Sequence, residues 1–229
     1  MPDPIVTLRN VTRVYRQAAL EVRALDGLSL EIKSGDFTAI TGPSGSGKTT
    51  ALNLIGALDV PTSGTVMVDG HDLAALSQAQ RSELRKRRIG FVFQAYNLIP
   101  VLTAFENAEL VLRLQGVAPA TRRERVMGLL ADVGLEGMHD RRPGELSGGQ
   151  QQRVAIVRAI ASEPAVALAD EPTANLDSST AEQLLDIMQK LNEERHVTFI
   201  FSTHDERVMR RARQTIRLVD GRVDAPPSA

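Results

Sequence analysis

The sequence predicts an α/β fold: a mostly parallel sheet with both faces covered, and a helical segment inserted between two halves of that sheet. Three observations predict it. Short apolar runs alternate with helical stretches at both ends of the 229-residue chain, and such alternation builds parallel strands whose crossovers cover both faces. The apolar run Phe37–Thr41 leads straight into a glycine-rich stretch, which then opens a helix. From about residue 94 to 145 the strand pattern gives way to helix signals.

Taken in order, Ile5–Leu8, Leu28–Ile32 and Thr65–Val68 alternate as strands. Phe37–Thr41 reads as a buried strand, Lys48–Leu58 as the helix after the glycines, and Phe91–Phe93 as a short strand. The basic run Arg81, Arg85, Lys86, Arg87 and Arg88 reads as a solvated helix face, with a docking surface for an acidic partner or anionic lipid as the alternative. Thr103 and Glu106 have capping-box spacing, and Leu110, Val111 and Leu114 mark an apolar face behind them. Arg122–Val133 reads as a second helix, ended by Gly134. A helix from Gln150 to Ala161 precedes the strand Ala165–Ala169, and Leu184, Ile187, Met188 and Leu191 share one helical face. The strand Val197–Phe201 follows, and Ala225–Ala229 reads as a frayed tail. The expected organisation is one domain over 1–229. Its α/β core spans 1–93 and 146–224, its helical subdomain 94–145, and its tail 225–229.

Composition narrows the function classes. The 42% hydrophobic content is ordinary for a globular protein. No apolar run approaches the roughly 18 residues of a membrane span. Met1–Pro4 lacks the charged and apolar regions of a signal peptide, so the expected location is cytosolic. The absence of cysteine excludes disulfides, thiolate metal sites and thiol catalysis. A net charge of −1 with 3% aromatic residues gives no footprint for nucleic acid.

Gly42-Pro43-Ser44-Gly45-Ser46-Gly47-Lys48-Thr49 is a phosphate-binding loop. A triphosphate needs many N–H donors converging at close range. Glycines let the backbone approach and turn, and the following helix adds the partial positive charge of its N-terminus. Lys48 is the candidate for the β and γ phosphates and the Thr49 hydroxyl for Mg²⁺, with Thr50 next to them. The four fixed positions recur by chance in roughly 1% of chains of this length, and the strand–loop–helix context lowers that further.

Leu146-Ser147-Gly148-Gly149-Gln150 is a second glycine turn opening a second helix, with capping-box spacing from Ser147 to Gln150. Taken alone it is a well-capped helix start. The two motifs in this order resemble the ATP-binding cassette (ABC) ATPases, over about Ile5 to Arg222. That resemblance implies a RecA-like P-loop core with an N-terminal antiparallel β subdomain and an inserted helical subdomain. It also implies an ATP-dependent head-to-tail dimer, in which Leu146–Gln150 of one subunit caps the γ-phosphate on the other. Further roles follow residue by residue. Asp170 is similar to the Walker B aspartate that supports Mg²⁺, and Glu171 to the carboxylate that polarises the attacking water. His204 matches the switch histidine, and Gln94 the glutamine that senses Mg²⁺ and water. Asn175-Leu176-Asp177 matches the loop crossing the dimer interface, and Tyr15 the aromatic that stacks on adenine.

Thr49–Gly56, Phe91–Pro100 and Ala174–Asp177 resemble one branch, the lipoprotein-releasing, macrolide-exporting and cell-division (LolD/MacB/FtsE-like) ATPases. Ala51 stands where that branch usually has leucine, and Ala174 where it usually has glycine. The branch implies a separate membrane permease as partner and a place on the cytoplasmic face of a bacterial membrane, with Tyr96–Leu102 as the docking candidate. An adaptor gating a cell-wall hydrolase stays open as an alternative. A soluble ABC ATPase of DNA repair fits less well, because no sustained heptad run appears.

Overall fold

A computed structural model of the chain describes residues 4–17 and 20–224; the expected tail at 225–229 lies outside the described residues. The chain begins with two long strands, β1 (Pro4–Gln17) and β2 (Leu20–Lys33), followed by β3 (Phe37–Thr41) and α1 (Lys48–Ile55). Next come β4 (Ser63–Val68), β5 (His71–Asp72), α2 (Gln78–Arg88) and β6 (Ile89–Phe93). The inserted helices are α3 (Ala104–Leu114) and α4 (Pro119–Asp132). The second half runs α5 (Gly148–Ile160), β7 (Val166–Asp170), α6 (Ser178–Arg195), β8 (Phe199–Ser202), α7 (Glu206–Arg211), β9 (Gln214–Val219) and β10 (Arg222–Val223).

Two sheets form. The larger has the order β10-β9-β3-β8-β7-β6, parallel except for the edge strand β10. Its strands obey the two-residue period with both faces buried. Phe37, Ala39, Ala167, Ala169, Phe199 and Phe201 face α5, α6 and the inserted helices, while Ile40, Leu168 and Ile200 face α1 and the β1–β2 hairpin. The smaller sheet is antiparallel, with the order β2-β1-β4-β5.

Three local expectations are corrected. The opening strands are 14 residues each rather than four or five. Charged residues interrupt the apolar alternation there, and the ladder between the two strands continues through several register shifts. The first helix stops at Ile55 rather than Leu58, with Gly56 as its C-cap. The basic run of α2 lies on a partly solvated helix face, in keeping with the sequence, and its cations have partners there. Arg85 donates to Ala57 O at 2.6 Å, Arg88 pairs with Asp69 at 2.5 Å, and Lys86 and Arg87 both hold Glu83. Finally, α3 buries Ala104, Ala108 and Leu112, whereas Leu114 is 64% exposed. Small residues on that face let the helix approach α5 closely, while Leu110 and Val111 are half-buried beside it and Leu114 faces the surface.

Candidate nucleotide-binding site

The phosphate loop joins the end of β3 to α1, and its backbone explains its glycines. Gly42, Gly45 and Gly47 have φ of +144°, +79° and +98°. A Cβ at Gly42 would lie 2.1 Å from Leu218 O, and one at Gly47 2.5 Å from Ala24 O. The loop is thus wedged between β2 and β9, and a side chain at either glycine would push them apart. Gly221 N donates to Ser46 O at 3.1 Å, closing the other side. Lys48 Nζ donates to Gly42 O at 2.8 Å and Pro43 O at 2.9 Å, which holds the ammonium over the loop. The Ser46 hydroxyl is buried without a partner among the described residues.

The loop floors a cleft of about 820 Å³, within the size range of small-ligand sites. Gly42–Thr50, Gln94, Asp170, Glu171 and His204 all line it. The parallel ladder explains this convergence. Asp170 of β7 pairs with Ser202 of β8, and Ile40 of β3 pairs with the same Ser202, so three strand ends open onto one edge. Burial pushes the Asp170 carboxyl above the usual range, and the neighbouring Glu171 charge adds to this; Lys48 and Thr49 oppose it. Glu171 has φ +44°, an uncommon conformation for a non-glycine residue, and its N–H donates to Ser202 O at 2.9 Å. Its Oε1 lies 2.7 Å from His204 Nδ1.

Gln94 reaches the cleft from the end of β6. Its side chain donates to Asn175 Oδ1 at 3.4 Å, and Asn175 Nδ2 returns a bond to Gln94 O at 3.0 Å. Asp177 caps α6, accepting from Ser179 and Thr180. The Thr180 hydroxyl foremost, with the neighbouring N–H groups, holds its carboxyl well below the usual range. Leu176 packs against the core between them.

The second glycine turn forms the capping box its spacing implies: Ser147 Oγ accepts from Gln150 N at 3.3 Å, and Gln150 Oε1 accepts from Ser147 N at 2.9 Å. Its glycines are places of close approach. A Cβ at Gly148 would lie 2.8 Å from Tyr96 Oη, and one at Gly149 2.3 Å from Thr180 Cγ2. None of Leu146–Gln150 lines the cleft of its own chain.

Tyr15 does not line the cleft either. Its hydroxyl donates to Asp59 Oδ2 at 2.8 Å, and the Arg13 guanidinium sits 4.6 Å from its ring centroid. Val22, directly opposite Tyr15 on β2, does line the cleft and is 50% exposed. Val22, Arg23 and Ala24 carry no motif; only the hairpin pairing brings them to the loop. Ser202 arrives at the end of β8 and Ala174 in the turn that follows β7.

A glycine loop leading a helix, with a carboxylate pair and a histidine on the adjoining strand ends, makes this a P-loop nucleoside triphosphatase site. A family model described as ABC transporter matches residues 25–174. The chain is 46% identical, over 98% of its length, to a macrolide export ATP-binding/permease protein MacB of Syntrophobacter fumaroxidans, of which it covers 32%. It is 43% identical to an uncharacterized ABC transporter ATP-binding protein of Thermotoga maritima, covering 96% of this chain and 94% of that one. Among solved structures it resembles the ATP-binding cassette MJ0796 of Methanocaldococcus jannaschii, in a dimeric post-hydrolysis state bound to ADP and Pi. The TM-score is 0.88 at 45% identity, covering 96% of this chain and 97% of that one. The chain belongs to the ABC transporter family and has the fold of its ATP-binding cassettes. It spans about a third of the length of the MacB relatives.

Proposed function

We propose that the chain binds Mg²⁺–ATP in this cleft, closes on a second copy of itself head to tail, and uses hydrolysis to drive a membrane permease. The observation that carries the dimer is the placement of Leu146–Gln150 outside the cleft of its own chain. A capped helix start with free N–H groups is an anion site, and only a second chain could present it to this cleft. The MJ0796 cassette is dimeric in its post-hydrolysis structure, which supports the same reading. The division into a core (1–93, 146–224) and a helical subdomain (94–145) belongs to it too.

Lys48 and the loop N–H groups would cradle the phosphates. Thr49, Gln94 and Asp170 line the cleft together, and hydroxyl, amide and one carboxylate are donors Mg²⁺ accepts when phosphate and water complete its shell. The unpartnered Ser46 hydroxyl and the glycine cradle fit the same ligand. The metal supplies charge neutralisation on the phosphates. Phosphoryl transfer to water depends on positioning and charge stabilisation. Glu171 would orient and deprotonate the water, His204 would face the γ-phosphate, and Ser147 and Gly149 of the partner subunit would stabilise its charge. Adenine would lie along Val22 at the cleft wall, with Tyr15, its partner across the hairpin, as the aromatic beside it. The test is Glu171→Gln: retained ATP affinity, hydrolysis reduced on the order of 10²–10⁴-fold, and a dimer with ATP but not ADP by light scattering. Hydrolysis at the wild-type rate would remove Glu171 from the mechanism. A monomer under saturating ATP would remove the composite site.

The branch with a permease partner, at the cytoplasmic face of a membrane, is supported by the likeness to MacB and by a groove of about 410 Å³ between β6 and α3. Leu58, Phe91, Val111 and Leu114 contribute to its apolar lining, and Asn97 and Arg158 line it too. Within the docking stretch Tyr96–Leu102, Leu98 packs inward whereas Ile99 and Val101 are exposed. The groove and this rim are the proposed seat of a cytoplasmic permease segment. No helix among the described residues is long and apolar enough to cross a membrane.

A further inference from the structure

We infer that Thr203 is a positioning residue for hydrolysis, fixing one oxygen of Glu171 so that the other is left for the attacking water; this rests on the assignment of Glu171 above. Thr203 Oγ1 donates to Glu171 Oε2 at 2.9 Å. The two partners of this carboxylate differ in kind. His204, on Oε1, has a side chain 77% exposed to solvent and faces the cleft. Thr203 is fully buried, and its N–H donates to Ile40 O at 3.1 Å, at the end of the strand that delivers the phosphate loop. One partner is free to turn toward a phosphate, and the other is held by the same strand that holds the phosphates.

The Thr203 hydroxyl is itself constrained. Its oxygen accepts from Asp205 N at 3.0 Å, which aims its proton at Glu171. Asp205 is fixed by the mirror-image contact: Thr173 Oγ1, two residues beyond Glu171, donates to Asp205 Oδ2 at 2.7 Å. Thr173 is buried as well. The segments 171–173 and 203–205 are therefore stitched by two threonine–carboxylate bonds running in opposite directions. Arg207 closes the far end on Asp205 at 2.7 Å. Glu171 needs such support because its backbone sits at φ +44°, a conformation that persists only where its surroundings enforce it. A carboxylate on a free side chain samples many rotamers. One oxygen pinned by a buried donor leaves the second at a defined place, accepting one proton from water while the new P–O bond forms and the bond from the γ-phosphorus to the bridging oxygen breaks, that oxygen leaving with ADP.

The experiment is steady-state ATPase kinetics on the full chain with Mg²⁺–ATP, comparing wild type with Thr203→Val, Thr203→Ser, Thr203→Ala and Glu171→Gln. Valine keeps the shape and removes the donor. Expected are a kcat lower by about tenfold in Thr203→Val, a KM within about twofold of wild type, and recovery of most of the kcat in Thr203→Ser. If valine does not fold in this buried place, Thr203→Ala is read for the same kcat-against-KM split. Wild-type kcat in the valine variant, or losses of kcat and ATP affinity together that serine does not restore, would overturn the inference. Glu171→Gln separates the two readings. If it hydrolyses ATP like wild type, the assignment of Glu171 fails first. If it is inert while Thr203→Val is unimpaired, only the role of Thr203 fails.

Discussion

Asp170, Glu171 and Asp205 are carboxylates on neighbouring strand ends, and their surroundings treat them differently. Asp170 is pushed up by burial with a second carboxylate beside it, which suits a group that gains a cation as partner. Asp205 is lowered to about 2: burial opposes its charge, but the Arg207 and Thr173 side chains outweigh it. A carboxyl depressed in the folded state stabilises the fold above its unfolded value of 3.8, and that stability is lost as pH falls toward about 2. Asp205→Asn should therefore cost about 1–2 kcal/mol at neutral pH, discounted for the solvent-facing part of the pair. The difference in urea midpoint from wild type should hold between pH 7 and 5 and shrink below 3.8. A difference that does not vary with pH would mean that packing, not charge, is the loss. At this scale the sequence was legible wherever chemistry is written in a local run. Gly42–Thr49, Asp170, Glu171 and His204 all line one cleft. Thr203 was not legible, because a threonine before a histidine signals nothing until β8 lies beside β7.

Two elements show what close approach requires. Strand β6 carries Gln94 at its end and lies against α5, the helix opened by the second glycine turn. Gly90 makes this contact: a Cβ there would lie 2.2 Å from Ala159 O, a backbone atom that cannot swing away. Gly90→Ala should destabilise the fold by about 1–3 kcal/mol, and ATPase activity should fall with it as β6 carries Gln94 off the cleft. Denaturant melts and kinetics on one preparation test this; unchanged stability would mean the strand and helix can part freely. Nothing in the sequence marks Gly90, since a glycine inside a strand run only hints at a close neighbour. The same limit explains α3. Its Thr103–Glu106 capping box is present as the spacing implies. Its apolar positions Leu110, Val111 and Leu114 do not mark the face that packs on the core, where Ala104, Ala108 and Leu112 are buried. Asn107, fully buried, was missed as well. It bonds Ile99, Leu102 and Thr103, and so fixes the stretch that follows Gln94.

At the scale of the whole molecule, two surfaces should answer to ATP: the edge where Gln94 and Asn175 bond each other across 81 positions of sequence, and the groove between β6 and α3. Leu114 is 64% exposed and contributes to that groove, not to the nucleotide cleft. Leu114→Lys should leave basal ATPase unchanged and abolish stimulation by a co-reconstituted permease. Full stimulation would place docking elsewhere. The amino-acid order alone was enough for the α/β class, the phosphate loop, the second capped turn and the family resemblance. Each of these depends on contiguous residues, on backbone freedom or on a period that neighbours share. Tertiary structure decided the rest: the length of the β1–β2 hairpin, the place of Val22 on the cleft wall, the outward position of Leu114 on α3 and the threonine behind Glu171. These depend on which strands pair and in what register, and pairing is set by long-range packing that no local run of residues encodes.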